Sequence, residues 1–430
     1  MYPNLYYAFK DLFGINIPFL KVINTFGFFV ALAFLAAAWF LVKELKRKQA
    51  LGEFTYVETT ITVGKPAGFS EILINFILGF ILGFKIIGVV LVKGALDNPQ
   101  AFIFSSNGSW PAGIVAGLFF GGLKWWERNR NKLAKPEERK IRIWPSDRVG
   151  DVVMISAVGG IIGAKIFDNL ENWDRFIEDP LANLLSPSGL TFYGGLIVAS
   201  LALWYYFKKK NISFIKVADA AAPSLMLSYG LGRIGCQVAG DGDWGIINSA
   251  YLTHDDGAIF LATPEQVETG LKAYGSMYQE TGLVGSAEHL SVKAFAGLPD
   301  WFFAYNYPHN VNETGVKLLN CDWGQYCNHL PLPVFPTPLY EIIMGLLIFG
   351  ILWAVRKKIK ITGRMFAIYL IFNGIERFLI EKIRVNTKYD IAGFHPSQAE
   401  LISSMLVIGG ILLYAYAPKL WPPKKVQATT

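Results

Sequence analysis

The chain has 430 residues, 53% of them hydrophobic and 17% charged, where a soluble domain holds about 25% charged residues. That balance excludes an ordinary water-soluble fold and indicates a chain that crosses a membrane several times. Its net charge of +7 requires no nucleic-acid partner, because basic flanks facing anionic membrane lipids account for it.

From the N-terminus, the residues MYPNLYYAFKDLFGINI lack the charged region, apolar region and cleavage site, in that order, of a secretory leader. The first apolar run is therefore expected to act as its own insertion signal. A helix needs roughly 20 residues to cross about 30 Å of hydrocarbon. Nine runs meet that requirement: 21–42, 70–93, 109–125, 149–167, 189–207, 215–237, 336–355, 363–382 and 398–418. The third and fourth are glycine-rich, which leaves a re-entrant form open for them. Runs 70–93 and 109–125 read as an extra two-helix insertion, 70–125, within a single membrane domain covering 1–430.

Lysine and arginine cluster in every second connection, as KELKRK at 43–48, the basic stretch 124–142, KKKNISFIK at 208–216, RKKIKITGR at 356–364 and PPKKVQ near the end. Cytoplasmic connections carry that excess. The expected fold is thus an all-α polytopic membrane protein with about nine transmembrane helices, its N-terminus outside and its C-terminus cytoplasmic. Between the sixth and seventh runs lies a long extracytoplasmic loop, 240–335, that is irregular in pattern. Its length points to function or disorder, and its WFFAYNYPHN stretch favours order. Cys321 and Cys327 in this loop are open to either a disulfide or two free thiols, and Cys236 lies in a span.

Ionisable residues within spans are Lys85, Lys165, Asp219, Arg233, Glu341, Glu376, Arg377, Glu381, Lys382 and Arg384. Each costs about 2.5–3.5 kcal/mol at mid-bilayer on insertion scales, so each is expected to face protein, water or a charged ligand. Arg233, Glu341, Arg377, Glu381 and Arg384 all fall near the outer ends of their spans. Arg377, Glu381 and Arg384 are spaced by four and three, along one helix face. Planar guanidinium groups bind phosphate in bidentate fashion, and a buried ion pair that merely locks two helices is the competing reading. Asp219 reads as a carboxylate at a helix start.

Glycines gather at the same level: Gly194 and Gly195 in TFYGGL, Gly232 and Gly235 around Arg233, and Gly240, Gly242 and Gly245 in GDGDWG. Close helix packing is one reading; close backbone approach to a head group is the other. The five histidines, His254, His289, His309, His329 and His395, all map to outer loops. They offer candidate imidazole bases, with His309 and His395 favoured beside turn-forming prolines. No metal-ligand spacing, phosphate-binding P-loop or serine nucleophile elbow is present, so no metal or nucleotide cofactor is expected.

Four segments resemble, in order, the motifs of the prolipoprotein diacylglyceryl transferases, the bacterial inner-membrane enzymes of lipoprotein maturation. TFYGGL resembles the family's His-Gly-Gly element, YGLGRIGC its Gly-Arg-x-Gly signature, FPTPLYE its HPxQLYE element and ERFLIEKIR its RFxxEFxR element. The resemblance implies transfer of the diacylglyceryl group of phosphatidylglycerol to the lipobox cysteine thiol in the signal peptide of a preprolipoprotein. It also implies a multi-pass location in the bacterial inner membrane, among membrane lipids. By position, Arg233 is similar to the signature arginine that holds the lipid head group. Arg377, Glu381 and Arg384 are similar to the family's charged helix face, Tyr340 and Glu341 to the end of the LYE element, and Gly245 to the closing glycine of the signature. On this basis Arg233, Arg377 and Arg384 are expected to hold the phosphate, Glu341 and Glu381 to orient the arginines, and Tyr193 with Gly194 and Gly195 to border the reacting carbon. Three positions depart from the pattern: Tyr193 replaces histidine, Cys236 asparagine and Phe26 tyrosine. Because a phenol with a pKa near 10 is a poor base, His309 is the first candidate to accept the thiol proton. Two other functions compete: a transporter for an anionic solute, and a family member that binds lipid or protein without catalysis.

Overall fold

The computed structural model describes residues 1–96, 98–186, 189, 191–280, 288–385, 389 and 395–422. The basic tail from 423 onward and much of the eighth connection, 386–388 and 390–394, lie outside the described residues. In chain order the main elements are α1 (Thr25–Ala50), β1 (Val57–Val63), α2 (Phe69–Leu82), α3 (Trp110–Arg130), β2 (Glu137–Ile143), α4 (Val149–Glu171), α5 (Phe192–Lys209) and α6 (Phe214–Ala239). After these come β3 (Ile247–Asn248), β4 (Tyr251–Thr253), β5 (Ile259–Leu261), α7 (Pro264–Glu280), β6 (His289–Leu290), β7 (Val316–Lys317), β8 (Asn328–His329), α8 (Thr337–Val355), α9 (Arg364–Glu381) and α10 (Gln398–Leu420).

Each of the nine apolar runs is mainly helical. Five helices are long and apolar enough to cross a membrane: Thr25–Ala50, Phe69–Leu91, Pro145–Glu171, Thr337–Val355 and Gln398–Leu420. The other four, α3, α5, α6 and α9, are diluted by glycine and aromatic residues or by charges. In α6 the charges are Lys216, Asp219 and Arg233, and in α9 they are Arg364, Glu376, Arg377 and Glu381.

The chain divides into two compact units, one of Met1–Ala8, Asn24–Leu45 and Ser213–Thr430, the other of Phe9–Ile23 and Lys46–Ile212. In the second unit, α2 packs on α3, α4 packs on α5, and β1 pairs antiparallel with β2 from Val57–Ile143 to Val63–Glu137. Glycine sets how closely these helices approach. A Cβ on Gly194 would lie 2.3 Å from the Phe167 Cβ, and one on Gly195 would lie 2.8 Å from the Gly160 carbonyl oxygen. Both glycines of TFYGGL therefore serve the α4–α5 contact, and Tyr193 occupies the first turn of α5 beside them.

In the first unit, α6 packs on α8 and α9, and α9 packs on α10. Helix ends are built from short-range signals. Ser397 and Glu400 form a reciprocal capping box at the start of α10. Gly240 closes α6 in the left-handed region at φ 65° and donates its N–H to the Cys236 carbonyl. Asp219 caps a neighbouring helix rather than its own: its two oxygens accept from the N–H groups of Gly363 (2.6 Å) and Phe366 (2.8 Å) at the start of α9. At the basic end of α8, Arg356 pairs with the buried Glu44 of α1 at 3.2 Å.

The described residues of segment 240–335 fold into a lobe of short strand pairs with one α-helix, α7. Its core contains Trp244, Ile247, Tyr278, Tyr307, Leu330, Leu332 and Val334. Buried polar groups there are bonded to the backbone: the Tyr278 hydroxyl donates to the Leu332 carbonyl (2.5 Å) and accepts from the Leu332 N–H (2.8 Å). Burial pushes that phenol well above its ordinary pKa. Cys321 and Cys327 form a disulfide.

Candidate functional site

Arg233 lies two turns before the end of α6, with its guanidinium above the Tyr229 ring at 5.3 Å. After Gly240 the chain turns through Gly242, whose φ of 94° suits glycine, and brings Asp243 back beside Arg233. From there Gly245 runs against the end of α9. A Cβ on Gly245 would lie 2.5 Å from the Ile383 carbonyl oxygen and 3.0 Å from that of Phe335, so only glycine allows this approach. The Gly245 N–H donates to Phe335 (2.9 Å) and the Ile246 N–H to Ile383 (2.9 Å), which sets Gly245 opposite Arg384.

That backbone crossing assembles four charges. Glu341, just past the first turn of α8 and fully buried, accepts from Arg233 Nε and from Arg384 Nη1, the latter at 3.1 Å. Asp243 accepts from Arg233 Nη1 with one oxygen and from Arg384 Nη2 with the other. Two guanidiniums from separate segments thus clasp two carboxylates, and the quartet is charge-balanced. Tyr229 donates to Glu341 at 2.7 Å. The threonine starting α8, Thr337, donates its hydroxyl to the Asp243 carbonyl at 3.1 Å. Beside the quartet opens a cavity of about 400 Å³ lined by Asp241, Gly242, Asp243, Trp244 and Asn312. Asp241, in the loop after α6, has its carboxyl pushed up by burial.

The remaining expected residues lie as follows. Arg377 pairs with Glu381 at 2.8 Å, one turn apart on α9, and Glu381 accepts from the Ser397 hydroxyl at 2.6 Å. Tyr340 donates its hydroxyl to the Phe302 carbonyl at 2.5 Å, tying the start of α8 to the lobe. His309 stacks on Trp323 at 4.0 Å, and its Nδ1 lies 2.8 Å from the Tyr326 carbonyl oxygen. Tyr193, Gly194 and Gly195 belong to the other compact unit. Sequence reasoning missed Asp243. The available signal was the acidic residue within the glycine-rich turn GDGDWG, directly after the arginine-bearing helix.

This arrangement defines a class: a mostly helical chain with apolar helices of membrane-crossing length and two guanidiniums that grip the two oxygens of one carboxylate. A profile described as Prolipoprotein diacylglyceryl transferase matches residues 109–416. The chain belongs to that family. It is similar to curated proteins named phosphatidylglycerol–prolipoprotein diacylglyceryl transferase. The one from Leptospira interrogans is 26% identical over 336 residues, covering 66% of this chain and 84% of the relative. The relative from Shouchella clausii is 26% identical, covering 68% and 83%. The relative from Clostridium tetani is 24% identical, covering 64% and 83%.

Proposed function

We propose that the chain transfers the diacylglyceryl group of phosphatidylglycerol to the lipobox cysteine thiol of a preprolipoprotein, in the bacterial inner membrane. Nine spans, with the N-terminus outside, would place the quartet near the outer leaflet, where donor lipid and signal peptide meet. Family membership supports the reaction, and one observation supports the site: Arg233 and Arg384 converge on the two oxygens of Asp243, beside a cavity. A phosphodiester presents the same pair of oxygens. It takes the place of the Asp243 carboxylate between the two forks, with Glu341 holding both guanidiniums from behind.

The thiolate sulfur then attacks the carbon of the diacylglyceryl unit that is bonded to the phosphate oxygen. A C–S bond forms, the C–O bond to phosphate breaks with its electron pair, and glycerol 1-phosphate leaves. Guanidinium groups fixed in a water-poor site stabilise the charge that builds on the departing oxygen. For the thiol proton, His309 is the proposed acceptor. An Nδ1–H donated to the Tyr326 carbonyl leaves the neutral ring with its lone pair on Nε2. Arg377, Glu381 and Tyr340 act in this reading by shaping the same end of the bundle.

The test is a purified assay with radiolabelled phosphatidylglycerol and a lipobox peptide. Label should move to the peptide as a thioether. Lipid binding without transfer overturns the reading, as does flux of a soluble anion in its place.

A further inference from the structure

The Tyr229 hydroxyl lies between two carboxyl groups, 2.7 Å from Glu341 Oε2 and 3.1 Å from Glu376 Oε1. A phenol has one proton to donate. If both carboxyl groups were ionised, the hydroxyl would satisfy one and turn a lone pair toward the other, so a second proton is required in the chain of three groups. The surroundings decide which carboxyl group carries it. Glu341 receives Arg233 and Arg384. Glu376 is 2% exposed, takes part in no ion pair among the described residues, and its Oε2 is buried without a hydrogen-bond partner. A lone ionised carboxylate in such a place is far more costly than a neutral acid. A neutral acid also accounts for the geometry, with O–H on Oε1 directed at Tyr229 and only a carbonyl oxygen left unbonded.

We infer that Glu376 is a positioning residue for the head-group site: as a neutral acid it donates to Tyr229, which donates to Glu341, which in turn holds Arg233 and Arg384. The inference rests on the phosphatidylglycerol reading. The phospholipid brings a negative charge to a quartet that is balanced without Glu376, and an ionised Glu376 would add a second negative charge one hydroxyl away. The neutral acid avoids that repulsion. It also commits the Tyr229 proton to Glu341, so that Glu341 keeps its full charge for the two guanidiniums. The effect belongs to lipid binding, so it is read in KM for phosphatidylglycerol more than in kcat.

Two measurements on the purified full-length protein test it. The first needs no turnover: the infrared carbonyl band of a protonated carboxylic acid should be present in wild type at neutral pH and lost in Glu376→Gln. No difference between the two overturns the inference. The second compares variants. Glu376→Leu, which removes the donor, should raise KM about tenfold, in line with a buried hydrogen bond to a charged chain. Glu376→Gln, whose amide N–H donates in place of the acid, should restore KM most of the way. Equal KM values for the two variants overturn the inference. A wild type that transfers nothing removes the proposed function, and the infrared band still decides the proton on Glu376.

Discussion

Arg233 donates from two edges of one plane, Nε toward Glu341 and Nη1 toward Asp243, and an ammonium on a flexible stem cannot reproduce that fork. Arg233→Lys should therefore lower transfer activity about a hundredfold while the protein still inserts, because misplacement of about 1 Å at such a site costs that much. Wild-type turnover in the lysine variant would make Arg233 a structural cation. His309→Ala should lose most activity in the same assay, and full activity would remove His309 as the thiol base. At this scale the sequence showed the arginines, Glu341 and Glu381, because charged residues in apolar runs stand out. The four-residue spacing of Arg377 and Glu381 also matched their ion pair, but nothing local showed that Arg233 and Arg384 share Glu341 and Asp243. Asp243 lies outside any apolar run, and only the turn through Gly242 brings it to Arg233.

Small residues set the closest helix approaches, while larger side chains such as Met226, Leu352 and Met365 fill the contacts among α6, α8 and α9. A Cβ on Gly374 would lie 2.7 Å from the Ser403 carbonyl oxygen, and one on Gly410 would lie 2.9 Å from that of Ala367, so α9 and α10 meet backbone to backbone. Gly374→Val forces that contact apart. It should cost about 1–3 kcal/mol, measured as a lower midpoint of thermal unfolding in detergent. Gly409→Ala, where a Cβ meets nothing within 4 Å, should not lower the midpoint, since alanine is the better helix former. Element positions were readable from hydropathy because a span must be continuously apolar. Among the long helices α7 escaped that signal, because its exposed Glu265, Glu268 and Lys272 give no apolar run, although Leu271 and Tyr278 pack inward on the lobe core.

On the scale of the whole molecule, the lobe between α6 and α8 should have its own response to pH. His329 is fully buried on β8. Burial, the largest influence, holds its pKa below the ordinary value of about 6.5. The unfolded state thus binds more protons than the folded one below that pH. The stability this neutral ring allows is complete above about 6.5 and is lost as pH falls from there toward the folded value. Limited proteolysis of the lobe should speed up on acidification in wild type, and the acceleration should be smaller in His329→Gln. Reduction of Cys321–Cys327, which closes a short loop, should loosen the lobe by about 2 kcal/mol.

The sequence by itself determined the helical class, the family and the residues that bring charge into apolar helices, because each is written in local composition or in motif order. Only the tertiary structure decided that Asp243 closes the arginine pair, that Asp219 caps α9, and that Tyr229 stands between two carboxyl groups. Those contacts join segments far apart in the chain. Which carboxylate meets which guanidinium depends on where backbones cross, and the crossing at Gly245 and Arg384 follows from close packing that no single stretch of sequence contains.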